Sequence, residues 1–271
     1  MKNDYQQMIN NVISIAFRIV FFLLVATNYV FFMIYKWFPE IKNNSWAYLV
    51  IFFYNLIVIL MTWATIQTIY TNPGEIPFYW GFRHGDTDFQ RRRYCLMCNV
   101  FKPDRCHHCS VCNKCILNMD HHCPWINTCI GFYNRKYFIQ MLFYINILII
   151  FSIFINFKFV WNDGLELYHN KKRFEFNTIL KSLFLIFLYT LDFVAMIVLS
   201  MFFKFHLKLV FENKTTIETI EKKTQEYDSG FSLGSWNNFE QVMGSNKFLW
   251  FIPFASYSGQ PVGNGIDWTT K

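Results

Sequence analysis

The chain has 271 residues, of which 54% are apolar and 21% aromatic, with a mean hydropathy of +0.19 and a formal net charge of +7. This composition excludes an ordinary water-soluble domain and favours a membrane protein. Nucleic-acid binding is not expected, because the basic residues follow the pattern of membrane topology.

Four stretches are long and apolar enough to cross a hydrocarbon core of about 30 Å as helices. The remaining residues are too few to cover four such helices in a soluble core, and the stretches lack the polar alternation of barrel strands. The first is too long for a signal peptide and carries Arg18. The sequence thus predicts an α-helical membrane protein with spans at Val12–Tyr35, Trp46–Tyr70, Phe138–Val160 and Leu183–Phe203.

Lys and Arg are distributed unequally about these spans, with 17 on one side and 6 on the other. Because cytosolic loops carry the excess, both termini and the loop after the second span should be cytosolic. No internal repeat is evident. The predicted division is a cytosolic tail (1–11), two spans with a short lumenal loop (12–70), a cytosolic cysteine-rich loop (71–136), two further spans with a lumenal loop (137–203), and a cytosolic tail (204–271).

Asn72-Pro73-Gly74 should end the second helix, because proline cannot continue it and glycine permits a turn. All eight cysteines follow, between Cys95 and Cys129. A disulfide framework would require a lumenal loop and would leave the paired histidines unexplained, whereas a reducing cytosol leaves thiols for metal or catalysis. The pattern is Cys95-x2-Cys98-x7-Cys106-His107-His108-Cys109-x2-Cys112-x2-Cys115-x4-Asp120-His121-His122-Cys123-x5-Cys129.

The Cys-x2-Cys pairs have the spacing that tetrahedral zinc requires, and two closed structural sites need eight ligands. Eight cysteines could supply them unaided. One histidine per ion would instead free two thiols and account for the His-Cys pairs. The spacing then suggests one set of Cys95, Cys98, His108 and Cys115 and a second set of Cys109, Cys112, His122 and Cys129.

Beyond the fourth span, Thr215-Thr216-Ile217-Glu218 has the pattern of a capped helix start. Phe248–Tyr257 is apolar but too short to span, so it should pack against the helices or lie at the bilayer surface. Three further histidines lack metal spacing and are interpreted as surface or interfacial groups, namely His84, His169 and His206.

The cysteine block, with Lys102-Pro103-Asp104-Arg105 before it and Asn134 and Phe138 after it, resembles the cysteine-rich domain of the DHHC protein S-acyltransferases. Asn72-Pro73-Gly74 is similar to the family's Asp-Pro-Gly motif, with Asn72 departing from it. Further resemblance lies in Thr215-Thr216-x-Glu218 and in Asn238-x3-Val242-x-Gly244. The resemblance implies the same interleaved zinc sets and covers nearly the whole chain.

The resemblance implies that Cys123 is the nucleophile and acyl carrier, that His121 is its base, and that Asp120 orients His121. A fatty acyl group, palmitoyl above all, would pass from acyl-CoA to Cys123 and then to a cytosolic cysteine of a membrane-associated protein. Cys106 is interpreted as a bystander, although it could replace a ligand of the first zinc. The expected location is an endomembrane, the Golgi or the endoplasmic reticulum.

Two expectations concern the co-substrate. A cavity within the four helices should bury the acyl chain, at about 0.8 kcal/mol per CH₂. Five basic side chains are candidate partners of the CoA phosphates or, equally, simple topology signals or lipid anchors, namely Arg91, Arg92, Arg93, Lys102 and Arg105.

Two other functions are weighed against the enzyme. A non-catalytic zinc scaffold would not need Asp120, His121 and Cys123 side by side. A channel or transporter is not supported, because the spans show no inverted repeat and carry few ionisable residues.

Overall fold

The computed structural model describes residues 2–77, 79–81, 93–169, 176–221 and 230–269. Within them, a π-helical segment (Tyr29–Trp37) follows α1, and two 3₁₀ turns (Lys247–Trp250 and Tyr257–Gly259) follow α7. The helices are α1 (Lys2–Asn28), α2 (Phe38–Glu40), α3 (Trp46–Tyr70), α4 (Arg135–His169), α5 (Phe176–Phe211), α6 (Thr216–Glu221) and α7 (Ser235–Met243).

Among the described residues, four helical stretches are long and apolar enough to cross a membrane, so the chain is a multi-pass membrane protein, as its sequence predicts. They are Val12–Glu40, Trp46–Tyr70, Arg135–His169 and Ile179–Phe211. The second matches its predicted span at both ends. The others are longer, because hydropathy marks only the part suited to hydrocarbon while helical hydrogen bonding continues into more polar residues.

The chain divides into two compact units. The first comprises Met1–Ile19, Trp63–Met141 and Lys204–Lys271, and it contains every described strand. The second comprises Val20–Thr62 and Leu142–Phe203.

The cysteine-rich segment between α3 and α4 forms three separate antiparallel hairpins. The first pairs β1 (Arg93–Cys95) with β2 (Val100–Lys102), the second pairs β3 (His107–Cys109) with β4 (Lys114–Ile116), and the third pairs β5 (His121–Cys123) with β6 (Thr128–Ile130). Strands of three residues bury too little to be stable alone, so metal binding is expected to stabilise this segment.

The three hairpins are copies of one backbone unit. In each, the cysteine that ends the first strand faces the residue that begins the second, as the pairs Cys95–Val100, Cys109–Lys114 and Cys123–Thr128 show. Each four-residue loop ends in an asparagine with positive φ: Asn99 (53°), Asn113 (53°) and Asn127 (48°). Equivalent residues lie 14 apart, so the expectation that the chain has no internal repeat was wrong.

A turn after α3 ties this helix to the hairpins. The Asn72 side-chain oxygen accepts a hydrogen bond from the Gly74 backbone N–H (2.9 Å), and Gly74 has φ +120°. A Cβ atom at Gly74 would approach Leu117 Cβ at 3.1 Å. The Leu117 N–H donates to the Gly74 carbonyl (2.9 Å), and the Tyr133 N–H donates to the Pro73 carbonyl (3.2 Å). Asn72 therefore provides the acceptor that an aspartate would provide here.

Candidate active site and metal centres

The hairpins bring together both predicted ligand sets. Cys95, Cys98, His108 and Cys115 form one cluster, and Cys109, Cys112, His122 and Cys129 form the other, with the ligand atoms of each set within 4.8 Å of one another. The clusters are interleaved. A Cys-x2-Cys loop of one hairpin is completed by a facing His–Cys pair of the next, His108–Cys115 in the first cluster and His122–Cys129 in the second.

The donor chemistry fits zinc. Three thiols and one imidazole nitrogen make the closed tetrahedral shell of structural zinc sites. In the first cluster His108 Nδ1 lies 3.2 Å from Cys98 Sγ, and in the second His122 Nδ1 lies 3.4 Å from Cys112 Sγ. All eight cysteines are free thiols. Each cluster can therefore hold one metal ion that would join two hairpins.

Two cysteines lie outside both clusters. Cys106 is fully buried among apolar side chains such as Leu117 and Phe132, and burial raises the pKa of its thiol to about 12. It is therefore a poor nucleophile. Cys123 ends β5, directly after His122 of the second cluster.

His121 and Asp120 form a close ion pair next to Cys123. The Nδ1 atom of His121 lies 2.7 Å from Asp120 Oδ2. Burial disfavours the charged imidazole, but hydrogen bonds to Asp120 and Cys123 outweigh this effect and raise the pKa of His121 to about 9. Because Nδ1 is engaged by Asp120, Nε2 is the nitrogen available to the thiol. The arrangement places a charged imidazole beside the Cys123 sulfur.

Asp120 is completely buried and, besides contacting His121, is held by donors from α6 and α4. The Thr216 N–H and hydroxyl donate to its two oxygens (3.1 and 2.9 Å), and Arg135 Nη2 lies 3.2 Å from Oδ1. Burial opposes ionisation, but Arg135 and His121 outweigh it and keep the pKa of Asp120 below its usual range. The carboxylate is thus fixed in position and charged.

Sequence comparison assigns the chain on the same residues. Residues 88–223, half of the chain, match the DHHC palmitoyltransferase family. The chain belongs to this family. It is 34% identical over 252 residues to "Probable protein S-acyltransferase 13" of Arabidopsis thaliana, covering 82% of this chain and 78% of that protein. It is 30% identical over 286 residues to "Palmitoyltransferase ZDHHC2" of Danio rerio, covering 92% and 74%.

Some DHHC palmitoyltransferases are longer than this chain. "Palmitoyltransferase PFA3" of Debaryomyces hansenii is 38% identical over 182 residues, which cover 59% of this chain and 43% of that protein.

His206 lies beside Asp120 and His121, a contact that the sequence did not reveal. It was expected as a surface or interfacial group, and its side chain is 2% exposed. Its Nδ1 lies 3.5 Å from Asp120 Oδ2, and its ring centroid lies 5.2 Å from that of His121 and 5.1 Å from that of Phe138. A single histidine in an apolar helix carries no spacing signal, so no sequence pattern pointed to it.

Arg105, expected as a candidate CoA contact, cannot serve as one, because its charge is already neutralised in the interior. Its guanidinium donates to Glu218 (2.7 and 3.0 Å) and to Asn213 (2.8 and 2.9 Å). Phe231 and Trp268 face it at 4.8 and 4.3 Å from their ring centroids. The side chain is 1% exposed, which leaves no access for a phosphate.

Of the other four basic candidates, two lie on the first hairpin and two lie outside the described residues. Arg91 and Arg92 lie outside the described residues. Arg93 and Lys102 face each other across β1 and β2, with Arg93 exposed and Lys102 partly exposed. The Arg93 guanidinium also donates to the Pro103 carbonyl (2.7 Å). Like charges directly opposite each other are unfavourable, and an anion would relieve their repulsion.

The remaining family motifs hold the chain around the site. In the Thr-Thr-x-Glu motif, the Thr215 N–H donates to the Glu218 carboxylate (2.9 Å), and the Glu218 N–H donates to the Thr215 hydroxyl (3.2 Å). This is the reciprocal capping predicted for a helix start, and it places Thr216 against Asp120. Asn238, which is buried, donates to the Phe211 carbonyl at the end of α5 (2.8 Å).

The second unit contains a cavity of about 130 Å³. Most of its wall is apolar, formed by Phe21, Leu24, Val25, Met61, Ile145, Leu148, Ile149, Leu191, Ala195 and Leu199. Four polar residues also line it, namely Asn28, Tyr54, Ser152 and Asp192. On each contributing helix the polar residue and an apolar lining residue are seven positions apart, so the apolar wall extends for about 10 Å along the helices.

Proposed function

We propose that the chain is a protein S-acyltransferase that carries a fatty acyl group on Cys123. The group, typically palmitoyl, would come from acyl-CoA and pass to a cysteine of a membrane-associated protein. One observation carries this assignment. Of the two cysteines outside the metal clusters, Cys123 adjoins a close imidazole–carboxylate pair with a fully buried carboxylate, His121 and Asp120 at 2.7 Å, whereas the pair beside Cys106, His107 and Glu221, is 3.9 Å apart and its carboxylate is exposed. A scaffold that only bound metal would have no use for a buried carboxylate held by Thr216 and Arg135.

In the first half-reaction the Cys123 thiolate attacks the thioester carbonyl of acyl-CoA. A bond forms between Cys123 Sγ and the acyl carbon, and the bond from that carbon to the CoA sulfur breaks. The departing CoA thiolate takes the proton that His121 holds. Asp120 keeps Nδ1 of His121 engaged at 2.7 Å, so that the proton moves at Nε2.

In the second half-reaction a substrate cysteine gives its proton to the neutral His121 and attacks the acyl carbon on Cys123. Cys123 leaves as a thiolate, which restores the starting pair with the His121 imidazolium. One thioester is exchanged for another in each half, so the reaction needs no external energy source. The requirements are a reactive thiolate and a place for the acyl chain.

We assign a structural role to zinc. When bound by the two clusters, it would cross-link the hairpins and fix Cys123 next to His121. The ligand sets are the two CCHC sets given above. They leave no open coordination position for a substrate, which is the arrangement of structural rather than catalytic sites.

Arg93 and Lys102 are proposed to bind the CoA phosphates. They are the accessible members of the basic group among the described residues, and their direct opposition on β1 and β2 favours an anion between them. The excess of Lys and Arg on one side of the spans supports a cytosolic location for this face, where acyl-CoA would reach it.

Single-turnover acyl loading tests the proposal. Purified protein incubated with palmitoyl-CoA should gain one hydroxylamine-labile acyl mass, and Cys123→Ala should gain none. Cys106→Ala is the matched control, since it removes the other cysteine outside the clusters, and it should load like wild type. An adduct on Cys123→Ala equal to that on wild type would refute the assignment.

A further inference from the structure

The second and third hairpins each supply the closing ligands for the metal site of the hairpin that precedes them in the chain. The facing pair His108–Cys115 of the second hairpin closes the first site, and His122–Cys129 of the third closes the second. The first hairpin has no preceding site to close. Its corresponding pair is Tyr94–Phe101, whose ring centroids lie 4.9 Å apart.

The third hairpin differs from the first two in its loop. Its Cys123 occupies the position that Cys95 and Cys109 have in the first two hairpins. The strand register is the same, and an asparagine with positive φ again ends the loop. Where the first two loops carry a second cysteine, Cys98 and Cys112, the third carries Ile126.

Among the described residues after Ile130, no further hairpin follows that could supply closing ligands. The positions 14 residues beyond His122 and Cys129 are Lys136 and Phe143, both in α4. The backbone of the third loop thus matches that of two metal-binding loops, while one of its two sulfur positions is replaced by a buried hydrocarbon side chain, with Ile126 only 2% exposed.

We propose that the third hairpin retains a metal-binding loop and that Ile126 is the positioning residue that keeps the Cys123 thiol free of metal. The effect on acyl loading rests on the proposed role of Cys123 as acyl carrier, whereas the metal-binding capacity of the hairpin does not depend on that role. A thiol at position 126 would create a third Cys-x2-Cys loop. With His121, which hydrogen-bonds Cys123, it would give two sulfur ligands and one nitrogen ligand, enough to bind zinc with one open position.

The test is the substitution Ile126→Cys in the full-length protein, purified with reductant and zinc and examined by native mass spectrometry. This variant should hold three zinc ions where wild type holds two. Ile126→Ser is the matched control, because it removes the same packing without adding a thiolate, and it should hold two. The double variant Cys123→Ser/Ile126→Cys should also hold two.

Acyl loading provides the second readout. Ile126→Cys should load palmitoyl at least about tenfold more slowly than Ile126→Ser, because a metal-bound thiolate is not free to attack, and a mild chelator should restore much of the rate. Two zinc ions in Ile126→Cys, or loading equal to that of the serine variant, would overturn the proposal.

A volume-conserving variant keeps the proposal testable if both small residues prevent folding. Ile126→Met adds only a soft thioether, so Cd²⁺ should inhibit its loading at lower concentration than wild type. Identical inhibition curves would contradict the proposal. The zinc count is read without acyl-CoA, so a third ion in a protein that fails to load would refute the acyl-carrier role of Cys123 while leaving the inference about the hairpin intact.

Discussion

Replacing Asp120 by asparagine removes one charge from the centre of the site while preserving its shape. The carboxylate accepts hydrogen bonds from Thr216 and His121 and pairs with Arg135 at 3.2 Å. An amide NH₂ in place of one oxygen would face a donor instead of accepting from it. The substitution should therefore have two separable effects, one on stability through Arg135 and one on acyl loading through His121.

The effect on stability follows from burial. The Arg135 side chain is 1% exposed, and removing the partner of a buried charge costs about 3–5 kcal/mol. The effect on loading follows from the tautomer and charge of His121, and loss of the orienting carboxylate in a triad of this kind lowers the rate by up to about 10⁴-fold. We expect Asp120→Asn to show a lower unfolding midpoint and acyl loading slowed about 10²- to 10⁴-fold.

A double variant separates the two effects. Asp120→Asn/Arg135→Met also removes the unpaired buried charge, so it should recover most of the lost stability while remaining slow in loading. Asp104→Asn alters an exposed acid in the same segment and should match wild type in both measurements. Thermal unfolding and single-turnover loading report the two quantities. If the stabilised double variant loads palmitoyl within about threefold of wild type, Asp120 does not orient the base.

Three further predictions follow from the metal clusters and the basic residues. His108→Ala should lose about one of two zinc ions and much of the fold, whereas His121→Ala should keep both ions and load palmitoyl slowly. Equal zinc contents of these two variants by elemental analysis would contradict the ligand assignment. Arg105→Lys should destabilise the protein by about 3 kcal/mol, because lysine cannot reproduce the bidentate contacts, with an unchanged KM for palmitoyl-CoA. Arg93→Ala should raise the KM for palmitoyl-CoA several-fold. Lys114→Ala is the control, because Lys114 is a basic residue of the second hairpin that already pairs with Glu75, and it should leave this KM unchanged. Equal KM values for the two variants would remove Arg93 from the CoA site.

The spans and the metal-ligand sets could be predicted from the sequence because both depend on the local spacing of residues. The span Trp46–Tyr70 was predicted at both ends, since its flanking residues change abruptly from apolar to turn-forming ones. The ligand sets that the spacing suggested are the sets that the hairpins bring together. In each case the signal lies within a few residues of its consequence.

The contacts that depend on distant parts of the chain could not be predicted in this way. Arg105 had the pattern of an exposed base, and only folding of the C-terminal segment places Phe231 and Trp268 over its guanidinium. His206 meets Asp120 across 86 positions of sequence. The hairpin repeat was missed because only the leading cysteine and the closing asparagine recur in all three copies, although the second and third copies also share the His-His pair before that cysteine and a Cys-Ile pair in the second strand.

The most direct test of a metal-free thiol at Cys123 is native mass spectrometry of the intact chain after brief exposure to palmitoyl-CoA. The expected species carries two zinc ions and one acyl group at once, and Cys123→Ser carries two zinc ions and no acyl group. Loss of a zinc ion on acylation, or on substitution of Cys123, would show that this sulfur is a metal ligand and would contradict the account.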